Sequence, residues 1–193
     1  YRVRINVTGP PRSATVSTVC IRKHRAVALT LNELAAAGMF PEALVPTLKA
    51  ISATDQSFLI CGKGASGKTT LLRALIKAMP VLERILVAES DSEIFPEKPY
   101  CLVQRIRKAH EGGRPVSLRD LVADGLTMSL DTYCIGEIVG DEALEYIRAA
   151  YSGHRCLATT HAESGQDALD RMLSLARPAA AGDTELSLRK MLA

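Results

Sequence analysis

Residues 62–69 read Gly-Lys-Gly-Ala-Ser-Gly-Lys-Thr, and this run constrains the fold more than any other. It fits G-x-x-x-x-G-K-[ST], the phosphate-binding P-loop, in which backbone N–H groups turn inward around phosphate oxygens and glycines allow the turns. Such a loop must sit between a strand and a helix. Ser57-Phe58-Leu59-Ile60-Cys61 before it is a short apolar run that reads as a buried strand. Thr69–Ala78 after it combines good helix formers with apolar spacing of three and four. Gly-rich turns match the pattern by chance, so the flanking elements carry the assignment. Gly62, Gly64, Ala65, Ser66, Gly67 and Thr70 are then the cradle. Lys68 is the charge that reaches the β- and γ-phosphates, and Thr69 is the hydroxyl for Mg²⁺.

Beyond residue 57 strand and helix patterns alternate. Strands are expected over 57–61, 84–88, 101–106, 132–135 and 155–159, and helices over 69–78, 118–128, 142–151 and 167–175. Ser117 and Ser164 stand where N-caps are wanted, and Gly153 where a C-cap is. This alternation predicts an α/β fold, a parallel sheet with helices on both faces. Ligands of such sheets bind at the carboxyl ends of the strands, which gathers the loops after residues 61, 89, 137 and 161 around one site. Ahead of this region, 1–7 and 14–21 read as two strands joined by a Gly9-Pro10-Pro11 turn, and 30–37 and 41–52 as two helices. The boundaries expected are 1–28 for the end of a small β-rich N-terminal domain, 29–54 for linker helices, and 55–193 for the P-loop domain. The chain opens within an alternating run (Tyr1, Val3, Ile5, Val7), as a piece of a longer protein would, and a C-terminal truncation is expected as well.

Three strand ends carry polar clusters. Glu89-Ser90-Asp91-Ser92-Glu93 suits Mg²⁺–water coordination or a water-positioning base; alone, it equally suits an acidic surface turn. Tyr133-Cys134-Ile135-Gly136-Glu137 ends in a carboxylate like a Walker B strand, making Glu137 the candidate that polarises an attacking water. Arg155–Thr159 leads to His161, placed to sense or hydrogen-bond a γ-phosphate, or the Glu137 water. Each cluster by itself has a plain structural reading; their convergence on neighbouring strand ends favours a site.

Composition removes several alternatives. No apolar run approaches the roughly 18 residues of a membrane span. A net charge of +3 and 4% aromatics argue against a basic groove or stacking platform for direct nucleic-acid binding. Five scattered cysteines without a C-x-x-C pair read as free thiols in a reducing compartment.

The order of these stretches resembles the traffic ATPases of type II and type IV secretion, conjugation and tight-adherence (Flp/Tad) pilus assembly. The resemblance rests on the P-loop at 62–69, the acidic box at 89–93, Gly136-Glu137, and a Gly-His…Ala-Thr-x-His-Ala box at 153–162. Thr18-Val19-Cys20-Ile21-Arg22-Lys23 and Pro10-Pro11 are similar to the end of that family's N-terminal domain. The resemblance implies a RecA-like motor, ATP and Mg²⁺ as ligands, and a homohexameric ring. It implies a cytoplasmic location, peripheral on the inner membrane, docked on platform proteins of a secretion or pilus machine. By it, Lys68, Glu137, His161 and Glu93 are catalytic, Thr69, Glu89 and Glu93 serve the metal, His154 joins the His box, and Arg22 contacts the nucleotide. The chain departs from the family where arginines are expected, at Thr127, Ser129 and Val139, and carries Ser90 in place of an acidic-box Asp. Arg105, Arg107 and Arg114 are nearby substitutes. The alternative within the same family is a ring subunit or regulator that binds ATP and hydrolyses it weakly. A P-loop kinase would leave the His box without a task, and a nucleic-acid motor would want stacking aromatics or a basic groove.

Overall fold

The computed structural model describes residues 2–192. Its elements, in chain order, are β1 (Arg2–Thr8), β2 (Thr18–His24), α1 (Leu31–Ala36), α2 (Val45–Ala53), β3 (Phe58–Cys61), α3 (Lys68–Ala78), β4 (Ile85–Glu89), β5 (Cys101–Arg105), α4 (Leu118–Gly125), β6 (Thr132–Ile135), α5 (Glu142–Tyr151), β7 (Arg155–Thr160), α6 (Gly165–Ala176) and α7 (Glu185–Leu192). Strands β3 to β7 form one parallel sheet in the order β3-β7-β6-β4-β5. β1 and β2 pair as a separate antiparallel hairpin.

Alternation along the strands sorts the core into two layers. Leu86, Ala88, Tyr133, Ile135, Cys156 and Ala158 face α4, α5, α6 and α7. Ile85, Val87, Cys134 and Leu157 face the opposite side and pack on Leu72 and Ile76 of α3. β4, β6 and β7 are buried along their whole length, as strands covered on both faces must be. Each fully buried Leu or Ile contributes about 1.5–3 kcal/mol. A third cluster seats α1 and α2 on α3 through Leu31, Leu34, Val45, Ala74 and Leu75. The helix that follows the P-loop is thereby gripped by the sheet on one side and by the preceding helix pair on the other.

Local chemistry sets the helix ends. Thr30 and Glu33 form a reciprocal capping box on α1, Ser117 and Asp120 do the same on α4, and Ser164 caps α6. α4 stops at Gly125 rather than continuing to 128. Tyr133 Oη donates to the Gly125 carbonyl at 3.1 Å, and a Cβ on Gly125 would lie 2.5 Å from Leu86 Cδ2. The residue that permits the close helix–sheet approach is also where the helix ends. The segment 41–52 opens as a short 3₁₀ turn, Glu42–Leu44, before α2 begins at Val45.

The hairpin differs most from expectation. Its second strand runs Thr18–His24, not 14–21, and the connection is correspondingly longer. Val3, Ile5, Val7, Val19 and Ile21, the alternating apolar residues of the two strands, are all more than half exposed. The register pairs Ile5 with Ile21 and Val7 with Val19 on one face, and Arg4 with Arg22 on the other. The polar face is turned toward the parallel sheet. At the opposite edge of the sheet, buried Arg155 bonds Glu83 at 2.9 Å and reaches the carbonyls of Ile51 and Ser52 at 3.2 and 3.1 Å, tying the end of α2 to the amino ends of the strands. The cysteines are free: Cys134 and Cys156 are buried, Cys61 and Cys101 partly so, and Cys20 is exposed. Burial pushes the Cys156 thiol up to about 12.

Candidate nucleotide site

The carboxyl ends of β3, β4, β6 and β7 open onto one cleft of about 570 Å³, lined by the P-loop, the acidic loop after β4, Gly136, Glu137, Val139 and His161. The hairpin supplies two more lining residues, Arg4 and Arg22.

The P-loop needs the residues it has. Gly67 has φ +91° and enters α3, and Ala65 also takes a positive φ of 60°. A Cβ on Gly67 would stand 2.7 Å from Met39 Cε, so the loop joining α1 to α2 presses directly on the phosphate loop. Lys68, almost buried, donates from Nζ to the carbonyls of Gly62 (3.1 Å) and Lys63 (2.9 Å). Its ammonium is held inside the loop's curve, where phosphate oxygens are received. Thr69 and Thr70, in the first turn of α3, both face the cleft.

His161 links two other expected residues. Its Nδ1 lies 3.4 Å from Lys68 Nζ and its Nε2 lies 2.7 Å from Glu137 Oε1. An ammonium only donates and a carboxylate only accepts, so one neutral tautomer satisfies both contacts: Nε2–H donating to Glu137, with Nδ1 accepting from Lys68. Glu137 is half-exposed and open to water on its cleft side. Its backbone is pinned between strands: Thr159 Oγ1 donates to the Gly136 carbonyl at 2.7 Å and Ile138 N to the Thr159 carbonyl at 2.8 Å.

Glu89 and Glu93 sit differently. Glu89 is buried, and its Oε1 accepts from the backbone N–H groups of Glu93 (3.0 Å) and Ile94 (2.8 Å), while Oε2 has no protein partner. Burial pushes its carboxyl up to about 7, partly offset by those two N–H donors. Gly136 lies against it, and a Cβ there would meet Glu89 Cγ at 3.1 Å. A side chain at position 136 would therefore press on the buried carboxylate. Glu93 is engaged by the hairpin: Arg22 Nη1 lies 2.7 Å from its Oε1, with Arg4 Nη1 at 3.9 Å. No three His, Cys, Asp or Glu side chains among the described residues cluster as a metal cage. A divalent ion here would share Thr69 and the carboxylates with a nucleotide's phosphates, as Mg²⁺ characteristically does. The orphaned Oε2 of Glu89 fits that arrangement.

The other residues singled out in the sequence lie away from the cleft. His154 precedes β7 and therefore lies at the amino ends of the strands, away from His161, where it bonds Ser152 (3.0 Å) and meets the Tyr133 ring edge-on. Arg105 and Arg107 are turned to other partners: Arg105 pairs with Glu111 at 3.5 Å, and Arg107 donates to the backbone carbonyl of Arg114 at 2.7 Å. None of Arg105, Arg107 and Arg114 lines the cleft. Arg4 was not anticipated. The only signal for it is its two-residue alternation with Val3 and Ile5, and that signal becomes useful once the hairpin register sets it beside Arg22.

A parallel sheet flanked by helices, with a P-loop, a strand-end glutamate and a strand-end histidine around one cleft, defines a P-loop nucleotide-binding domain of RecA-like type. The chain matches the type II/IV secretion system protein family over residues 1–192 and belongs to it. It is 33% identical over 177 residues to a conjugal transfer protein of Mycobacterium tuberculosis, a match covering 91% of this chain and 50% of that protein. The chain thus spans about half the length of this curated relative. Its fold is shared with the VirB11 ATPase of the Brucella suis type IV secretion system, solved with sulphate (TM-score 0.64, 23% identity, 98% of this chain and 62% of that one). It is also shared with the pilus retraction motor PilT, solved with bound ADP (TM-score 0.65, 19% identity, 98% and 55%). No helix among the described residues is long and apolar enough to cross a membrane.

Proposed function

We propose that this chain is the nucleotide-binding core of an ATP-hydrolysing motor of a type IV secretion, conjugation or Flp/Tad pilus assembly system. The observation that carries this is the continuous contact Lys68–His161–Glu137 across one cleft. It joins the group that binds phosphate to the group that can receive a water's proton. Relatives and fold neighbours named for conjugal transfer, type IV secretion and pilus retraction agree with it.

In this reading, residues 62–70 wrap the phosphates of ATP, and Lys68 exchanges its two carbonyl partners for β- and γ-phosphate oxygens. Thr69, with Glu89 and Glu93 behind it, would hold Mg²⁺, which when bound neutralises phosphate charge. Glu137 orients a water on its exposed side and accepts its proton as the oxygen bonds to the γ-phosphorus and the bond to the bridging oxygen breaks. His161 holds the Glu137 carboxylate and reports the position of Lys68 to it. Arg22, from the hairpin, closes the cleft over the phosphates. Residues 1–28 are then the end of an N-terminal domain, 29–54 the linker, and 55–193 the motor. The assembly is a homohexameric ring, cytoplasmic and peripheral on the inner membrane, docked on platform proteins.

A second reading is a subunit that binds ATP and turns it over feebly. It is favoured by one observation: among the described residues lining the cleft, the arginines are Arg4 and Arg22 alone, and Val139 stands half-exposed where an arginine would reach in. An arginine on the transferring phosphoryl group is worth about 10³–10⁵ in rate. Measuring turnover against protein concentration, with Glu137→Gln alongside, separates the two. Turnover per chain that rises with concentration and is lost in the mutant supports the motor. ATP binding with turnover indifferent to Glu137→Gln supports the feeble subunit.

A further inference from the structure

The hairpin is attached to the sheet domain almost entirely by charge. None of its side chains belongs to the three apolar clusters of the described residues. Its arginines make the contacts: Arg4 Nη2 to Asp91 Oδ2 at 3.1 Å, and Arg22 to both Glu93 oxygens at 2.7 and 3.4 Å. His24 adds an edge contact to Phe95 at 6.4 Å. Lys108 also reaches Asp91, at 4.0 Å.

Just behind the hairpin the chain is firmly tied. Arg73 donates to the Ala26 carbonyl (3.1 Å), Lys77 to the Ala28 carbonyl (2.8 Å), and Ala28 N–H to Glu97 (3.1 Å). A strand pair anchored at its base and held at its far side by ion pairs moves when those pairs change partner. Arg4 and Arg22 are register partners on one face. Two like charges directly opposite repel, so both need an anion between them and the cleft. The same two guanidiniums line the cavity that contains the P-loop.

We propose that Asp91 and Glu93 act as an internal stand-in for phosphate: they hold Arg4 and Arg22 on the rim of the cleft, and a polyphosphate seated in the P-loop competes with them for those guanidiniums. The ion pairs then set how tightly the cleft takes a polyphosphate, and Arg4 is a phosphate-binding residue of its rim. This rests on the nucleotide reading of the cleft.

Asp91→Asn tests it without altering any residue assigned to catalysis or metal binding. ATP affinity is measured in EDTA, so that metal coordination plays no part, for the wild type, Asp91→Asn, Arg4→Gln and the double variant, with inorganic tripolyphosphate as a second probe. An exposed ion pair is worth about 0.2–1 kcal/mol, so freeing Arg4 tightens binding of either probe by roughly 1.4- to fivefold at low salt. High salt erases the gain. The double variant binds as Arg4→Gln does, which separates Arg4 from the liberated Lys108. Unchanged or weaker ATP binding in Asp91→Asn, or a gain that survives Arg4→Gln, overturns the competition while leaving the P-loop reading intact. Wild-type ATP binding that is indifferent to Lys68→Ala overturns the nucleotide reading, and the competition with it.

Discussion

Arg155→Met is the substitution whose cost follows most directly from the structure. Arg155 is 4% exposed at the amino edge of β7, and its guanidinium does two things at once. It neutralises Glu83, which also accepts from Thr132 Oγ1, and it donates to two carbonyls at the end of α2. Methionine preserves most of the buried stem but leaves Glu83 charged, nearly buried and without its cation. Breaking one side of such a pair costs about 3–5 kcal/mol. For a chain of this size that lowers the melting temperature by roughly 6–20 °C. Most of the loss comes from the stranded carboxylate rather than from the missing bonds. Arg155→Met combined with Glu83→Gln therefore recovers much of it, leaving about 1–2 kcal/mol for the two carbonyls of α2. Urea unfolding of the four proteins, followed by circular dichroism, yields the cycle. Equal destabilisation in the single and double variants would show that the carboxylate is not the source of the cost, and the reasoning would fail.

Gly67→Ala meets a left-handed backbone and the Met39 methyl together. A destabilisation of about 1–2 kcal/mol is expected from the backbone alone, so adding Met39→Ala rescues only part of it in a thermal melt. In metal-free buffer, Glu89→Gln stabilises the protein more at pH 8 than at pH 5. Burial pushes the folded carboxyl up to about 7 from the 4.5 of an unperturbed carboxyl, so the folded state holds the extra proton between those values. Wild-type stability thus falls as pH rises through that window, by about 3 kcal/mol at most, and glutamine removes the fall. Denaturant titrations at the two pH values that give the same difference between the proteins would contradict this. His161→Ala, by freeing Glu137 and Lys68 from each other, is expected to lower turnover on the order of 10²-fold with ATP affinity far less affected, as steady-state kinetics and equilibrium binding would reveal.

The sheet domain was legible because its signals are local. An apolar run ending in a glycine loop, or in a lone carboxylate or histidine, fixes where a strand stops, and the carboxyl ends of parallel strands share one side of the sheet. Lys68, Thr69, Glu137 and His161 could therefore be grouped before any coordinates were known. His154 and His161 share one motif but flank β7, so that motif sets its two histidines at opposite ends of one strand. The hairpin was harder to read. Alternation of Val3, Ile5 and Val7 reports a period of two but not which face meets water, since that depends on what lies over it. Arg4 entered the site only through cross-strand register. The burial of Glu89 likewise depends on backbone donors four and five residues ahead of it, which no composition reveals.

The bare face of the hairpin bears on how assembly is measured. Val3, Ile5, Val7, Val19 and Ile21 form an apolar stripe facing water on a two-stranded sheet. Such a stripe is adhesive, and two copies can lay theirs together without any nucleotide cleft being involved. Light scattering or sedimentation of this chain would then record sticking as though it were ring formation. Replacing Ile5 and Val19 with threonine keeps the strand propensity while wetting the stripe. Oligomers that persist in that variant belong to the motor; those that vanish belong to the hairpin's exposed face.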